Sequence, residues 1–382
     1  MKTERLVEFA RSLVRLPSLS CQEEAVARQV EEEMKSLGFD SVAMDENGSM
    51  VGVVEGREEG RTILLDAHMD TVDVTGAVPW DRDPFSGDTE GGVLFGRGSA
   101  DMKGALAAMV HGTADVDRDR LRGKVVVSAS VMEEVLEGVA LQAVMEKHPP
   151  DAVVIGEATA LNLVRGGRGR LELQLETTGV PTHSSAPHLG KNAVTDMARV
   201  IGALEEMELP EHPLMGPAVL ALTEITSSPF PANSVIPSIC RTTYDRRLLP
   251  GETAEGIREA IHDATRMLDV NLEAEVSVGE YYTFTGQIFR KEKVFPAWEL
   301  SEDHWLVRQG LEGLEKAGIR PGTRAYRFCT NAAYSAGEAG VPTIGFGPAD
   351  EADAHRVNES LRLDELEAAA RGYRGIIEAV LG

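Results

Sequence analysis

Five short stretches of the chain carry residues able to hold a metal ion or move a proton. They are His68 and Asp70 in LLDAHMDTVDV (64–74), Asp101 in GRGSADMKG (96–104), the adjacent Glu133 and Glu134 in MEEVLEG (132–138), Glu157 in GEAT (156–159) and His355 in AHRVNES (354–360). Singly, each has an ordinary explanation. An aspartate opening a helix caps it, and paired glutamates at a helix start answer its dipole. Their joint occurrence at successive strand ends is what those explanations leave out. Two histidines with three or more carboxylates exceed what one tetrahedral zinc with an open position takes. They suit two divalent ions that share one carboxylate, activate a water and polarise a carbonyl. Imidazole nitrogens with hard oxygen donors favour Zn²⁺, with Co²⁺ or Mn²⁺ as alternatives. One carboxylate must stay off the ions to take the water's proton. Glu133 and Glu134 can point in different directions, so one is expected as base and the other as ligand. Asp70, two positions after His68, is expected to accept the second ring N–H and fix the tautomer.

The surrounding pattern says how these residues are positioned. Amphipathic helices are expected at 3–16 and 22–37, with Ser18 or Ser20 capping the second. Apolar runs at 50–54, 62–67, 124–131 and 151–157 read as strands. Helical patterns occupy about 102–116 and a stretch from Glu133 or Glu134 to before Pro149. Alternating elements with short connections predict a mixed α/β sheet covered on both faces. In such sheets ligands gather outside the carboxyl ends of the strands, where the five stretches fall. GRGSADMKG is glycine-rich but lacks a dinucleotide or Walker pattern, so it is only a weak phosphate-cradle signal.

The period changes after residue 164. Leu171, Leu173 and Leu175 alternate with Glu172, Gln174 and Glu176, as in a half-exposed antiparallel strand. A helix at 191–208, strands at 218–225 and 240–248, a helix at 253–268 and a strand at 271–278 complete a split β-α-β, ferredoxin-like order. The expected fold class is α/β: a discontinuous α/β/α catalytic domain over 1–167 and 283–382, with an inserted ferredoxin-like α+β domain over 168–282. A strand at 341–348 and a helix at 360–380 close the first domain.

Composition excludes several function classes. A formal net charge of −24 argues against nucleic acid and anionic membranes as partners. The N-terminal MKTERLVEFARSLVRL lacks the apolar run and cleavage site of a signal peptide, and no stretch reaches the ~18 apolar residues of a membrane span. Three widely spaced cysteines, Cys21, Cys240 and Cys329, read as reduced thiols. The expectation is a soluble cytoplasmic enzyme.

DAHMDTV, GRGSADMKG, MEEVLEG, GEAT, HSSAPHLGKNA (183–193) and AHRVNES also occur in a familiar order. In that order the chain resembles, over nearly its whole length, the dinuclear zinc amidohydrolases and metallopeptidases. These include acetylornithine deacetylase, succinyl-diaminopimelate desuccinylase, aminoacylase and glutamate carboxypeptidase. GRGRLE, YDRRLLPGET and IGFGP look most like the branch linked to selenium metabolism. The resemblance implies that Asp101 bridges two metals, with His68 and Glu157 on one and Glu134 and His355 on the other. It makes Glu133 the general base and Asp70 the residue that orients His68. It implies that His183 helps hold the oxyanion in a partner subunit's site, and that Asn233 and Arg247 bind the substrate carboxylate. It further implies a homodimer formed through the inserted domain, which would also act as a lid. The implied reaction is hydrolysis of an amide in an N-acyl amino acid or dipeptide by metal-activated water. The alternative is a non-peptide C–N bond, such as that of a carbamoyl substrate, on the same site. Relatives often carry aspartate where Asn331 falls in FCTNAAYSAG (328–337), a departure that bears on the substrate side group.

Overall fold

The computed structural model describes residues 2–76 and 78–382. Helices α1 (Thr3–Val14) and α2 (Glu24–Ser36) form where apolar residues recur at helical spacing, and they bury Leu6, Phe9 and Leu13, and Val26, Val30 and Met34. Neither expected serine caps α2. Glu23 precedes it without a side-chain cap bond, while Ser18 Oγ donates to the Met69 carbonyl and Ser20 Oγ to Asp70 Oδ2, each at 2.7 Å. Both hydroxyls are drawn to the strand end that carries the metal-type residues.

The principal strands are β1 (Ser41–Met44), β2 (Met50–Glu55), β3 (Glu58–His68), β4 (Arg122–Ser130), β5 (Ala152–Ile155), β6 (Leu163–Gly167), β7 (Gly169–Thr178), β8 (Val219–Ser228), β9 (Ile239–Leu248), β10 (Asn271–Val276), β11 (Trp298–Glu299), β12 (Thr323–Tyr326) and β13 (Thr343–Gly345). The remaining helices are α3 (Lys103–Ala114), α4 (Val139–Lys147), α5 (Ala193–Glu205), α6 (Ala254–Thr265), α7 (Trp305–Lys316) and α8 (Leu363–Leu381). The chain divides into two units. One holds the residues up to Gly167 with Glu280–Arg290 and Trp298–Gly382; the other holds Arg168–Gly279 and Lys291–Ala297.

The first unit is a nine-stranded mixed sheet in the order β1-β2-β4-β3-β5-β13-β6-β11, with β12 also alongside β6. β3 runs parallel to β4 and β5, and β13 parallel to β5, so their carboxyl ends share one edge. Ile63, Leu65, Val125 and Val127 pack into one apolar layer with α1, α3 and α8. Leu64, Val126 and Val153 face the opposite layer with Leu141 and Val144 of α4. Continuous apolar runs are what a strand buried on both faces requires. α7 and α8 cross at glycines: a Cβ on Gly313 would lie 2.3 Å from the Gly375 carbonyl oxygen, and one on Gly375 would lie 2.3 Å from that of Gly313. Among the described residues no helix is long and apolar enough to cross a membrane.

One expected element differs. Residues 133–138 form turns, and α4 begins only at Val139. Met132 (φ 61°) and Gly138 (φ 79°) adopt left-handed backbone, which a helix cannot contain. The amides of Glu133 and Glu134 bond instead to the Asp70 carboxylate, at 3.1 and 3.2 Å.

The second unit has the antiparallel order β8-β9-β7-β10, with Val294–Phe295 also pairing β7. With α5 and α6 this is the ferredoxin-like arrangement. β7 alternates buried and half-exposed residues, and Leu171, Leu173 and Leu175 meet Met197, Val200 and Ile261 in a separate core.

Glu33 on α2 links three helices. Its Oε1 lies 2.8 Å from Arg5 Nε and 2.9 Å from His111 Nε2. Burial alone would raise its carboxyl, but the nearby His111 imidazole and the Arg5 guanidinium hold it down to about 2. A depressed carboxyl contributes stability above its unfolded value, and this is lost as pH falls through its folded value. Glu33→Gln is therefore expected to cost about 1 kcal/mol at neutral pH, screening limiting the effect. The difference should vanish between pH ~4.5 and ~2. Urea midpoints of both proteins across that range check it; a gap independent of pH would remove the charge from the account.

Candidate metal centre

His68 is the last residue of β3 and is buried. Its ring is held from both sides. Nδ1 lies 2.9 Å from the Asp70 main-chain carbonyl and 3.5 Å from the Asp70 carboxylate. The nearer acceptor is thus the carbonyl, which fixes Nδ1 as the protonated nitrogen and turns Nε2 toward the cluster. The Asp70 carboxylate is instead occupied by Ser20 Oγ and the amides of Glu133 and Glu134. Its carboxylate orients the glutamate turn, and its carbonyl orients His68.

Around Nε2 the expected residues converge. His68 Nε2 lies 3.0 Å from Asp101 Oδ1, 3.5 Å from Glu157 Oε1 and 4.0 Å from Glu133 Oε2. His355 Nε2 lies 3.1 Å from Asp101 Oδ2 and 3.0 Å from Glu134 Oε1. Asp101 therefore offers one oxygen to each imidazole. His68, Asp101 and Glu134 present ligand atoms within 4.8 Å of one another, as do His68, Glu133 and Glu157. Asp101 does not cap α3: the residue before the helix is Met102, without a side-chain cap bond. Its carboxylate is free for the cluster. His355 is the most open member, half of its side chain exposed, and takes left-handed backbone at φ 57°.

The electrostatics follow from burial. Burial and the nearby Asp101 push Glu157 up to about 7 and raise Glu134. Burial drives Glu133 well above the carboxylate range, with Glu157, Glu134 and Glu137 adding to it. Asp101 stays low despite burial, because His355 and His68 hydrogen-bond to it. Asp101 and Glu134 lift His355 to about 10. Five carboxylates thus face two imidazoles, and the excess negative charge is answered by binding protons. Divalent cations answer the same excess, and the donor set of imidazole nitrogen and carboxylate oxygen is one they accept. Glu133 Oε1 is buried and has no hydrogen-bond partner among the described residues, a disposition suited to a base.

The other expected residues belong to the second unit. His183 forms an isolated antiparallel bridge with Val235, and its Nδ1 accepts from the Ser185 amide at 3.1 Å. Asn233 is exposed with φ 42°. Arg247 pairs with Asp245, Nε to Oδ1 at 2.7 Å. Asn331, in the first unit, spends its amide internally. Nδ2 donates to Asp66 Oδ2 at 2.7 Å and Ser130 Oγ at 3.1 Å, and Oδ1 accepts from the Gly138 amide at 2.6 Å. An aspartate there would set a second buried carboxylate against Asp66.

Glu359 is the supporting residue that sequence reasoning passed over. Fully buried, it accepts from the amides of Gly98 (3.1 Å), Ala100 (2.8 Å) and Asp101 (3.0 Å) and from Arg97 Nη1 (2.7 Å). GRGSADMKG is thus an anion cradle, and the anion is the chain's own carboxylate. The pairing of Leu361 with Leu94 sets Glu359 there. Burial and Asp101 raise its carboxyl, but four donors face its two oxygens and leave no acceptor for an O–H, so the ionised form fits. Its signal in the sequence was the glycine-rich loop, which needs an anion from somewhere. Glu359→Gln turns an NH₂ against donors and strands Arg97. The expected cost is at least ~3 kcal/mol, with weaker metal retention because the Asp101 and His355 loops lose their tie. Denaturation and metal content check it; unchanged stability would exclude the carboxylate as the link.

A profile described as "Peptidase family M20/M25/M40" matches residues 64–379. The chain is 32% identical over 378 residues to the uncharacterized protein YgeY of Escherichia coli (strain K12), covering 97% of this chain and 93% of that one. It is 29% identical over 392 residues to a succinyl-diaminopimelate desuccinylase of Cereibacter sphaeroides, covering 97% and 98%. The crystal structure of aminopeptidase PepT from Bacillus cereus superposes with a TM-score of 0.76 at 19% identity, covering 100% of this chain and 99% of that one.

Proposed function

The chain belongs to peptidase family M20/M25/M40 and is a metal-dependent hydrolase, and from that premise we propose that it cleaves the amide bond of an N-acyl amino acid or dipeptide. The observation that carries the reading is Asp101, one oxygen 3.0 Å from His68 and the other 3.1 Å from His355. His68, Asp101 and Glu157 would hold one ion, and His355, Asp101 and Glu134 the other, with zinc the best match. Bound there, the pair supplies electrophilic pull on the carbonyl oxygen and acidifies a water toward neutral pH.

The chain's own residues supply the rest. Glu133, buried and without a partner for Oε1 among the described residues, takes the proton of the attacking water and returns it to the leaving nitrogen. Asp70 holds the Glu133 and Glu134 amides, so base and ligand keep their separate directions. In the second unit, Arg247 offers a planar fork for a substrate carboxylate, Asn233, in the turn at the opposite end of the β8–β9 pair, takes the same role, and His183 supplies an oxyanion donor. β8 lies at the sheet edge and exposes Val219, Leu222 and Ile225. An uncovered apolar edge favours pairing with an identical edge, so the working enzyme is read as a homodimer in which His183 serves the partner.

Metal content per chain, with hydrolysis of N-acyl amino acids and dipeptides before and after chelation, tests the reading. Two ions and chelator-sensitive amide cleavage are expected. Two ions with turnover only of carbamoyl-type substrates would replace the amide by another C–N bond.

A further inference from the structure

Two residues of the first unit take left-handed backbone without being glycine, and one carboxylate holds both. Cys21 has φ 73° and Met132 has φ 61°. Left-handed backbone crowds Cβ against the following carbonyl and is unfavourable for such residues, so the surroundings must hold it. Glu23 Oε1 accepts from the Cys21 amide at 3.0 Å and from the Met132 amide at 3.1 Å. Glu23 and Met132 are both fully buried. A buried amide that loses its acceptor bears the full cost of leaving water, so the Met132 amide depends on this oxygen.

The place of Met132 in the chain gives that bond its consequence, because the next residue is Glu133. The amides of Glu133 and Glu134 bond to the Asp70 carboxylate. Three consecutive amides are thus held by two carboxylates. Glu23 holds the peptide ahead of Met132 and Asp70 the peptide behind it. Together they fix the left-handed backbone of Met132, and that backbone sets where the Glu133 side chain leaves the turn. Asp70 follows the end of β3, whereas Glu23 precedes α2 and lies 109 residues before Met132. The segment ahead of α2 runs beside the end of β3: Leu19 bridges Thr71, and Ser20 Oγ donates to Asp70 Oδ2 at 2.7 Å. Glu23 therefore meets the turn from a fixed direction.

We propose that Glu23 is a positioning residue for the reaction: by holding the Met132 amide it places Glu133 where it can take the proton of the attacking water. The proposal rests on the reading of Glu133 as the base. Glu23 touches neither substrate nor metal in this role. It works by presenting an acceptor oxygen at a set reach, not by its charge. Its Oε2 is buried without a partner among the described residues, so that atom holds nothing in place. Burial, with Asp70 nearby, also pushes the carboxyl up to about 7. A neutral side chain of the same length therefore suits the position. A charged one shorter by a methylene withdraws the oxygen from both amides.

Steady-state kinetics of the metal-loaded variants Glu23→Asp and Glu23→Gln separate reach from charge. With Glu23→Asp, kcat is expected to fall at least ~10-fold while KM and metal content change little, since small displacements of a reacting group are costly. Glu23→Gln keeps the acceptor and is expected to recover most of that loss. A loss of that size in Glu23→Gln would overturn the proposal, and this arm stands even if Glu23→Asp does not fold. So would a Glu23→Asp protein that is less stable but turns over normally once loaded, because the role would then be structural. In a Glu133→Gln background, Glu23→Asp should lower the residual rate no further, having no base left to position; a full further loss would overturn the proposal. Retained turnover in Glu133→Gln alone sinks the base instead. Crystal structures of the metal-loaded variants read the link without turnover. Glu23→Asp should release Met132 from left-handed backbone and displace the Glu133 carboxylate, and an unmoved Glu133 would overturn the proposal whichever bond the enzyme cleaves.

Discussion

Glu133→Gln is expected to lower kcat by at least ~10²-fold while the protein keeps its fold and both ions. The substitution preserves shape and removes only the capacity to take a proton. The stability of the metal-free protein should not fall, because burial already holds the Glu133 carboxyl well above its ordinary range there. A neutral amide suits the site at least as well as a buried charge. The prediction separates two roles that geometry places close together. Glu133 Oε2 lies 4.0 Å from His68 Nε2, and Glu133 belongs with His68 and Glu157 to a set able to share a metal. If Glu133 is a ligand, Gln lowers metal content together with turnover. If it is the base, turnover falls at constant metal content and KM moves little, since the lost interaction acts in the transition state. Retained turnover would sink both assignments.

The distance between these readings shows what the sequence carries. Strand ends were legible because a strand buried on both faces has to be apolar and must stop where polar residues begin; β3, β4 and β5 are such runs. That placed His68, Glu133, Glu134 and Glu157 on one edge of the sheet. The direction of each side chain was not legible. The Glu133–Glu134 pair read as a helix start because glutamates are common there. The structure makes it a turn held by Asp70, a contact of 63 and 64 residues' separation. Ser18 and Ser20 were read as caps for the same reason: local propensity names the partner nearest in sequence, and the actual partners lie some 50 residues away. Glu359 shows the limit most plainly. Nothing local marks it, and its role exists only because Ser360–Arg362 pairs with Val93–Phe95 and delivers a carboxylate to the amides around Asp101.

Asp101→Asn is expected to have the widest effect, because on the proposed reading two metal sites depend on one side chain. The change removes one of two oxygens and the negative charge that balances both cations. Oδ1 and Oδ2 each lie near a different imidazole, so neither His68 nor His355 keeps its full partner. An amide can present its oxygen to only one ion and turns an NH₂ toward the other. Metal content should drop from two per chain to one or fewer, and kcat/KM by at least ~10²-fold, as even residues behind the ligands cost 10–100-fold. Glu157→Gln and Glu134→Gln give the contrast. The first should weaken mainly the ion beside His68 and the second mainly the ion beside His355, since Glu157 lies 3.5 Å from His68 and Glu134 lies 3.0 Å from His355. Thermal unfolding with added zinc reads the same quantities independently: ligand-linked stabilisation scales with affinity and falls as each ion is lost. Without metal, Asp101→Asn should cost stability, because the carboxylate it removes is the one that His355 and His68 hold low despite burial. A variant at Asp101 that still holds two ions would remove the shared ligand, and with it the reason for reading the site as a pair rather than as two independent sites.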